Sequence, residues 1–391
     1  MGNMRYAEQL EYVVKGISRK VGMKLKIILF VIMGLSITSC CMGESYVLQR
    51  MYGFPFQEAG YEKGVSACFA GYIGRTLLVA GGCNFPGKPA CEGGRKKYYN
   101  GIYAAITGNG DQLLWRKVGE LPTASAYGVS VSWHDQVIMV GGNNEQGSLK
   151  GVCAVTLKGE KALVSSLPSL PVTMDNMTGC LVGNLLYVAG GNVEGRASRK
   201  AYCMDLASAD KGWYRLPDLP GDVRVQPVSG MTTKGAFCVW GGFRPKSELE
   251  AAALSFDGWA YDTDTRTWRH LPAPVDMEGS EVFLGGGTAA NLGTEMVVAV
   301  GGVNKEVFLS ALNHPQPGYM THEPEWYKFN PLVLVYGDGS WRVMGKEKVA
   351  ARAGAILVPV SGDLYIIGGE LKPGIRTPDI FRLRFSSREL Q

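Results

Sequence analysis

Leu77-Leu78-Val79-Ala80-Gly81-Gly82 is a short apolar run that ends in a glycine pair, and the chain repeats this pattern five more times. The other copies are Val137-Ile138-Met139-Val140-Gly141-Gly142, Leu185 to Gly191, Ala236 to Gly242, Met296 to Gly302 and Leu364 to Gly369. Their second glycines lie 60, 49, 51, 60 and 67 residues apart. A run of four to six apolar residues, rich in β-branched side chains and closed by a turn signal, reads as a buried strand. Six copies of one strand at spacings of 49 to 67 residues read as a repeat architecture, in which each unit buries its faces against its neighbours. Glycine at each strand end admits positive φ and close backbone approach.

After each pair comes a second β-rich stretch, often with an aromatic partner: Ile102-Tyr103 with Trp115, Tyr202 with Trp213, Tyr261 with Trp268, and Val335-Tyr336 with Trp341. Leu-Pro steps follow at Leu121-Pro122, Leu170-Pro171, Leu219-Pro220 and Leu271-Pro272. This order resembles the Kelch repeat across residues 46 to 385, and the resemblance implies four strands per blade of a β-propeller. The expectation is an all-β, six-bladed Kelch-type propeller. In its sixth blade Ile380 to Phe385 supplies a third strand and then the chain ends, and Tyr46 to Met51 has the character of the missing fourth. Pairing the two would remove an exposed edge.

Composition supports a globular body, with 46% hydrophobic and 19% charged residues and 53 glycines, about twice ordinary usage. The net charge of +5 comes largely from residues 1 to 39, where Arg5, Lys15, Arg19, Lys20, Lys24 and Lys26 face only Glu8 and Glu11. The remaining 34 basic and 33 acidic residues leave no basic footprint for nucleic acid. Lys24 and Lys26, the apolar run Ile27 to Leu35 and Ile37-Thr38-Ser39-Cys40 read in order as an export signal with a lipobox. Residues 1–39 are therefore expected to be a leader with Met23 as a plausible start. Cys40 is then the lipidation site, 40–391 the single domain, and a lipid anchor the sole membrane contact. Of the other cysteines, five sit singly in apolar runs, while Cys83 and Cys91 share a loop in which pairing stays open.

Strand direction alternates within a blade, so the segments after the glycine pairs open on one face. Cys83 to Asn100, Phe243 to Gly258 and Val303 to Asn330 are long, whereas turns such as His134-Asp135 and Gly183-Asn184 on the other face are tight. Long loops on a rigid scaffold carry binding chemistry. The site is expected at that mouth, with Asn84, Asn143 and Asn192 as polar rim residues for a polyhydroxylated ligand. Each asparagine could equally satisfy its own turn. Arg95 in the first long loop, and Arg224 and Arg352 in the links between blades, are further candidate contacts, the last two equally readable as braces between blades.

Glu370-Leu371-Lys372-Pro373-Gly374-Ile375-Arg376-Thr377 follows the sixth pair directly. A Pro-Gly turn folds it back, so that Glu370 and Arg376 can face one ligand. A partly desolvated carboxylate exchanges protons, and an arginine fork holds a carboxylate. The segment resembles that of the N-acetylneuraminate epimerase (sialic acid mutarotase) family. So do Gly81-Gly82-Cys83-Asn84-Phe85-Pro86 with Glu92 to Lys97, and Ala126-Tyr127-Gly128. The resemblance implies Glu370 and Arg376 as the catalytic pair, sialic acid as the small-molecule partner, and neither metal nor cofactor. The Glu/Arg segment is last here and the Asn-Phe-Pro segment first, the reverse of the enterobacterial order, so the chain resembles a cyclically permuted branch. Two other readings stand beside it: a non-catalytic Kelch module binding a glycan or protein at the cell envelope, and a copper oxidase. His134, His270, His314 and His322 are the only histidines, and none directly follows a glycine pair.

Overall fold

The apolar runs form the second strands of six four-stranded antiparallel sheets in the computed structural model, which describes residues 46–386 except Asn109, Thr233 and Glu295. The leader and Cys40 lie outside the described residues. The first sheet runs Phe69–Ile73, Thr76–Ala80, Gly101–Ile106 and Arg116–Glu120, and the next four follow the same order along the chain. In the sixth, Ile356–Val360, Asp363–Ile367 and Ile380–Phe385 are completed from the other end of the chain. Tyr46–Met51 pairs with Ile380–Phe385 in register from Tyr46↔Phe385 to Met51↔Ile380. The all-β expectation and the borrowed strand are thus both seen.

The second strands are buried on both faces, and the two-residue period of a strand divides their side chains between neighbouring sheets. Leu77 and Val79 enter a cluster with Val358 and Tyr365 of the sixth sheet, whereas Leu78 and Ala80 pack with Val137 and Met139 of the second. One such cluster fills each seam between consecutive sheets, and the sixth joins sheets six and one.

The links between sheets carry a second kind of closure. Ala67 N–H donates to Gly354 C=O (2.7 Å), Tyr127 to Ala67 (2.9 Å) and Asn176 to Tyr127 (2.8 Å). Gln226 donates to Asn176 (2.8 Å), Gly286 to Gln226 (3.1 Å) and Gly354 to Gly286 (2.8 Å). These six bonds form an unbroken collar around a central cavity of about 570 Å³ lined by the innermost strands. All six collar residues are left-handed, including Ala67, Tyr127, Asn176 and Gln226 at φ 52 to 62°. Each non-glycine there costs on the order of 1–2 kcal/mol. Every residue of the six glycine pairs also has positive φ. At Gly142 a Cβ would lie 2.5 Å from Ala126 C=O, too close for any side chain.

Arg224 and Arg352, expected as candidate substrate contacts, are placed instead as braces, each 2% exposed. Arg352 Nη1 donates to Gly368 C=O (2.8 Å) and Asp379 C=O (3.2 Å), and its Nε to Val349 C=O (2.7 Å). Arg224 Nη1 makes the equivalent pair of bonds to Gly241 and Asp257 C=O, and its Nη2 pairs with Asp257 Oδ1 at 2.6 Å. Both sit two residues before a collar position and spend their bonded donors on nearby backbone carbonyls and, for Arg224, the Asp257 carboxylate, so the contact reading is withdrawn. Arg352→Met should therefore lower unfolding free energy by about 3 kcal/mol, because it orphans buried carbonyls, as read from urea midpoints. A change within about 0.5 kcal/mol, the range of an ordinary surface substitution, would show that the brace is dispensable.

Candidate active site

The segment after each glycine pair turns back over the collar, and in five of the six sheets it pairs with the residue preceding a collar position. Cys83 pairs with Ser66, Asn143 with Ala126, Asn192 with Asp175, Phe243 with Val225, and Glu370 with Ala353. The mouth is thereby a ring of short ladders standing on the collar. The Pro373-Gly374 turn makes Glu370–Lys372 and Ile375–Arg376 a hairpin in which Glu370 and Arg376 are register partners. Their side chains meet, with Arg376 Nη1 3.3 Å from Glu370 Oε1. Gly374 N–H donates to the same oxygen at 2.8 Å.

Residues from the first sheet complete the setting. Arg376 Nε donates to Ser66 Oγ at 2.9 Å, and its guanidinium lies 5.2 Å from the Phe85 ring centre. Nη1 is buried and, beyond its ion pair with Glu370, has no hydrogen-bond partner among the described residues. The Lys96 ammonium sits 5.5 Å from the Tyr127 ring and 5.9 Å from those of Phe85 and Tyr98. The Cys83 thiol donates to the Tyr127 hydroxyl at 3.7 Å, leaving the phenolic proton without an acceptor among the described residues. Burial, then Cys83, holds the Tyr127 phenol well above its ordinary range, with Arg376 opposing and Glu370 adding to the effect. Burial likewise pushes Tyr98 up to about 12.

Glu370 lies above the ordinary 4.5, with burial outweighing the opposing pull of Arg376, the Gly374 N–H and Lys96. The recess therefore holds two cations, one carboxylate reluctant to ionise and two neutral phenols. Its charge balance suits a small anion that brings its own carboxylate.

Of the expected residues, Glu370 and Arg376 are brought together. Asn143 and Asn192 stand on the rim, half-buried. Asn84 does not: it is 2% exposed, with Nδ2 bonded to the Gly60 and Gly64 carbonyls and Oδ1 to Tyr99. Its polar atoms hold the loop before the first sheet, so it has nothing left for a ligand. Arg95 is exposed, and its neighbour Lys96 faces the recess. Cys83 and Cys91 are both free, the first buried and the second exposed. The histidines are scattered: His270 bonds Asp257 and His322 stacks on Trp326. Among the described residues no three His, Cys, Asp or Glu side chains gather to hold a metal ion. Ser66 was missed, and Tyr127 and Lys96 stood only within longer stretches and were not singled out, although Tyr127 carried a signal: it is the residue in its link that aligns with Ala67 and Asn176 at the collar.

The profile of the N-acetylneuraminate epimerase family matches residues 38–164 and 167–391. The chain belongs to the N-acetylneuraminate epimerase family. Among its relatives are N-acetylneuraminate epimerases of Yersinia enterocolitica (31% identical; 57% of this chain, 59% of the relative) and Haemophilus influenzae (29%; 59% and 62%). That of Salmonella typhi is 28% identical, over 62% of this chain and 64% of its own. The chain thus spans about three fifths of the length of these relatives. A solved structure, "Structure of YjhT", superposes with a TM-score of 0.57 over 81% of this chain and 94% of its own, at 13% identity, which speaks for the fold.

A raised carboxyl pKa means that Glu370 ionises less readily folded than unfolded. Its contribution to stability is then full below the unfolded value and is lost as pH rises through the folded one. Glu370→Gln should melt above the unsubstituted protein at pH 7, and the gap should close near pH 4. A variant that melts lower at pH 7 would show that Arg376 more than offsets the burial.

Proposed function

We propose that residues 40–391 form one six-bladed Kelch propeller, closed by Tyr46–Met51, whose mouth accelerates interconversion of the α and β anomers of N-acetylneuraminate. The collar of six bonds and the six seam clusters support the blade count. Partial coverage of each relative is what a linear alignment returns for a cyclically permuted repeat order, and a closed ring tolerates such permutation. The observation that carries the activity is the Glu370–Arg376 pair, packed at the mouth with a buried guanidinium nitrogen 3.3 Å from a carboxylate poised to exchange protons.

In this reading Arg376 Nη1 and Lys96 bind the sugar's carboxylate and fix the anomeric carbon over Glu370. Ionised Glu370 takes the proton from the anomeric hydroxyl as the bond from that carbon to the ring oxygen breaks. The ring oxygen gains a proton from the Tyr127 phenol, which stays protonated through neutral pH. The open-chain ketone turns about the bond between its carbonyl carbon and the adjacent ring carbon. Reclosure on the other face returns both protons, so no redox equivalent is consumed. The leader reading is kept as part of this proposal: export, with Cys40 lipidated at a bacterial envelope. Among the described residues no helix is long and apolar enough to cross a membrane.

Proton NMR on freshly released α-N-acetylneuraminate tests this directly. The purified chain should bring the anomers to equilibrium faster than buffer alone, and Glu370→Gln should remove about 10²- to 10⁴-fold of that rate, with Tyr127→Phe at the lower end. The acid limb of the pH–rate profile should lie above 4.5, following the Glu370 shift. A wild-type rate equal to buffer would leave a binding module.

A further inference from the structure

A second polar recess stands on the third link, around the mouth from Glu370. It is a cavity of about 410 Å³ whose walls include Asn143, Ser148, Thr173, Asp175, Asn176 and Asn192. Asp175 is 3% exposed, yet among the described residues no cation pairs with it. Its carboxylate is held by neutral donors alone: Ser148 Oγ, Asn176 Nδ2 and, at 2.8 Å, Asn192 Nδ2. Asn176 in turn accepts from Gln226 Nε2 at 2.9 Å, which ties the cluster to the next collar residue. A buried carboxylate without a counter-ion is costly, and a network held only by dipoles is a poor way to gain stability. Asn143 adds a second unspent acceptor, since its Oδ1 is buried and has no hydrogen-bond partner among the described residues.

The chemistry of this recess complements that around Arg376. It offers acceptors and a negative charge, so it repels a carboxylate and favours a neutral group rich in O–H or N–H donors. The two recesses adjoin. Asn143 pairs with Ala126, whose neighbour Tyr127 lies over Cys83 beside Arg376, and Tyr98 feels both Asp175 and Arg376. We propose that the Asn143–Asp175 recess is the subsite for the hydroxylated and acetamido end of a sugar acid, and that opposite charge at the two ends fixes which way the substrate lies. This rests on the mutarotase reading and narrows it to acids with a neutral, hydroxyl-bearing tail beyond the ring.

Asn143→Ala is the decisive variant, because removing an unpartnered acceptor should leave thermal stability unchanged or slightly higher. Anomer exchange is measured by NMR for N-acetylneuraminate and for 2-keto-3-deoxygluconate, which keeps the carboxylate and anomeric carbon but lacks the acetamido group and the glycerol tail. The expected result is a KM for N-acetylneuraminate raised about tenfold, the worth of roughly one hydrogen bond, with kcat within about twofold. The shorter acid should be handled equally by both proteins, whether slowly or not at all. An unchanged KM, or an equal loss for both acids, would overturn the subsite. Calorimetric titration with N-acetylneuraminate separates the two ideas. If the wild type binds it without accelerating exchange, the mutarotase reading fails, and a tenfold weaker affinity in Asn143→Ala still upholds the subsite. An unchanged affinity, or no binding to the wild type, overturns it.

Discussion

Six backbone hydrogen bonds, each from one inter-sheet link to the one before it, govern the placement of everything else in this protein. The collar cannot close unless each link turns left-handed at one residue, and four of the six residues doing so carry side chains. Strain of this kind persists only where the surroundings over-determine it, and such positions gather at functional sites. Here the surroundings are the six apolar seams, which fix the angle between neighbouring sheets and so bring each donor to its acceptor. Two collar side chains, Tyr127 and Asn176, border the two polar recesses, so two of the four strained side chains reach the mouth.

The catalytic candidates lie where the chain closes on itself. Arg376 is oriented by Ser66, a residue 310 positions earlier, and Glu370 stands on a link whose neighbour belongs to the first sheet. The Arg376–Ser66 bond cannot form until the sixth sheet docks on the first, an event that the Tyr46–Met51 strand secures by occupying the last edge. Stability and the candidate site therefore share one seam. A permuted order of repeats leaves this seam intact, because neighbours in space remain neighbours whichever link is cut.

Sequence showed the repeat because a buried strand bounded by two obligatory glycines has few chemical solutions, and the same solution recurs six times. It showed the Glu370–Arg376 pairing because a Pro-Gly turn sets the register of two strands without help from elsewhere. It could not show that Asn84 is consumed by the Gly60 and Gly64 carbonyls, nor that Arg224 and Arg352 point along their own sheets. Those outcomes depend on backbone groups distant in sequence that compete for the same donors. Lys96 was obscured for a related reason: three basic residues in a row look alike until the strand Lys97–Tyr98 fixes which of them faces inward.

The distribution of unspent polar atoms argues for where the ligand lies. Folded chains satisfy nearly all buried polar groups, and the exceptions call for explanation. Trp240, Trp259 and Trp341 each leave an indole N–H unmet, but these rings are gripped in aromatic clusters within the sheets, where burial of a large ring outweighs one weak donor. Arg224 Nε and Arg244 Nε are also without a hydrogen bond among the described residues, but both guanidinium groups are tied to carboxylates, Arg224 to Asp257 and Arg244 to Asp222 and Glu250. That leaves Arg376 Nη1, whose one ion-pair contact among the described residues is Glu370 at 3.3 Å, and Asn143 Oδ1. They lie on adjoining stretches of the mouth, one a charged donor and the other a neutral acceptor, and no packing gain keeps either of them there. A molecule with a carboxylate at one end and hydroxyl or amide protons at the other meets both needs at once, whereas a ligand that met only one would leave the other group's desolvation unrelieved.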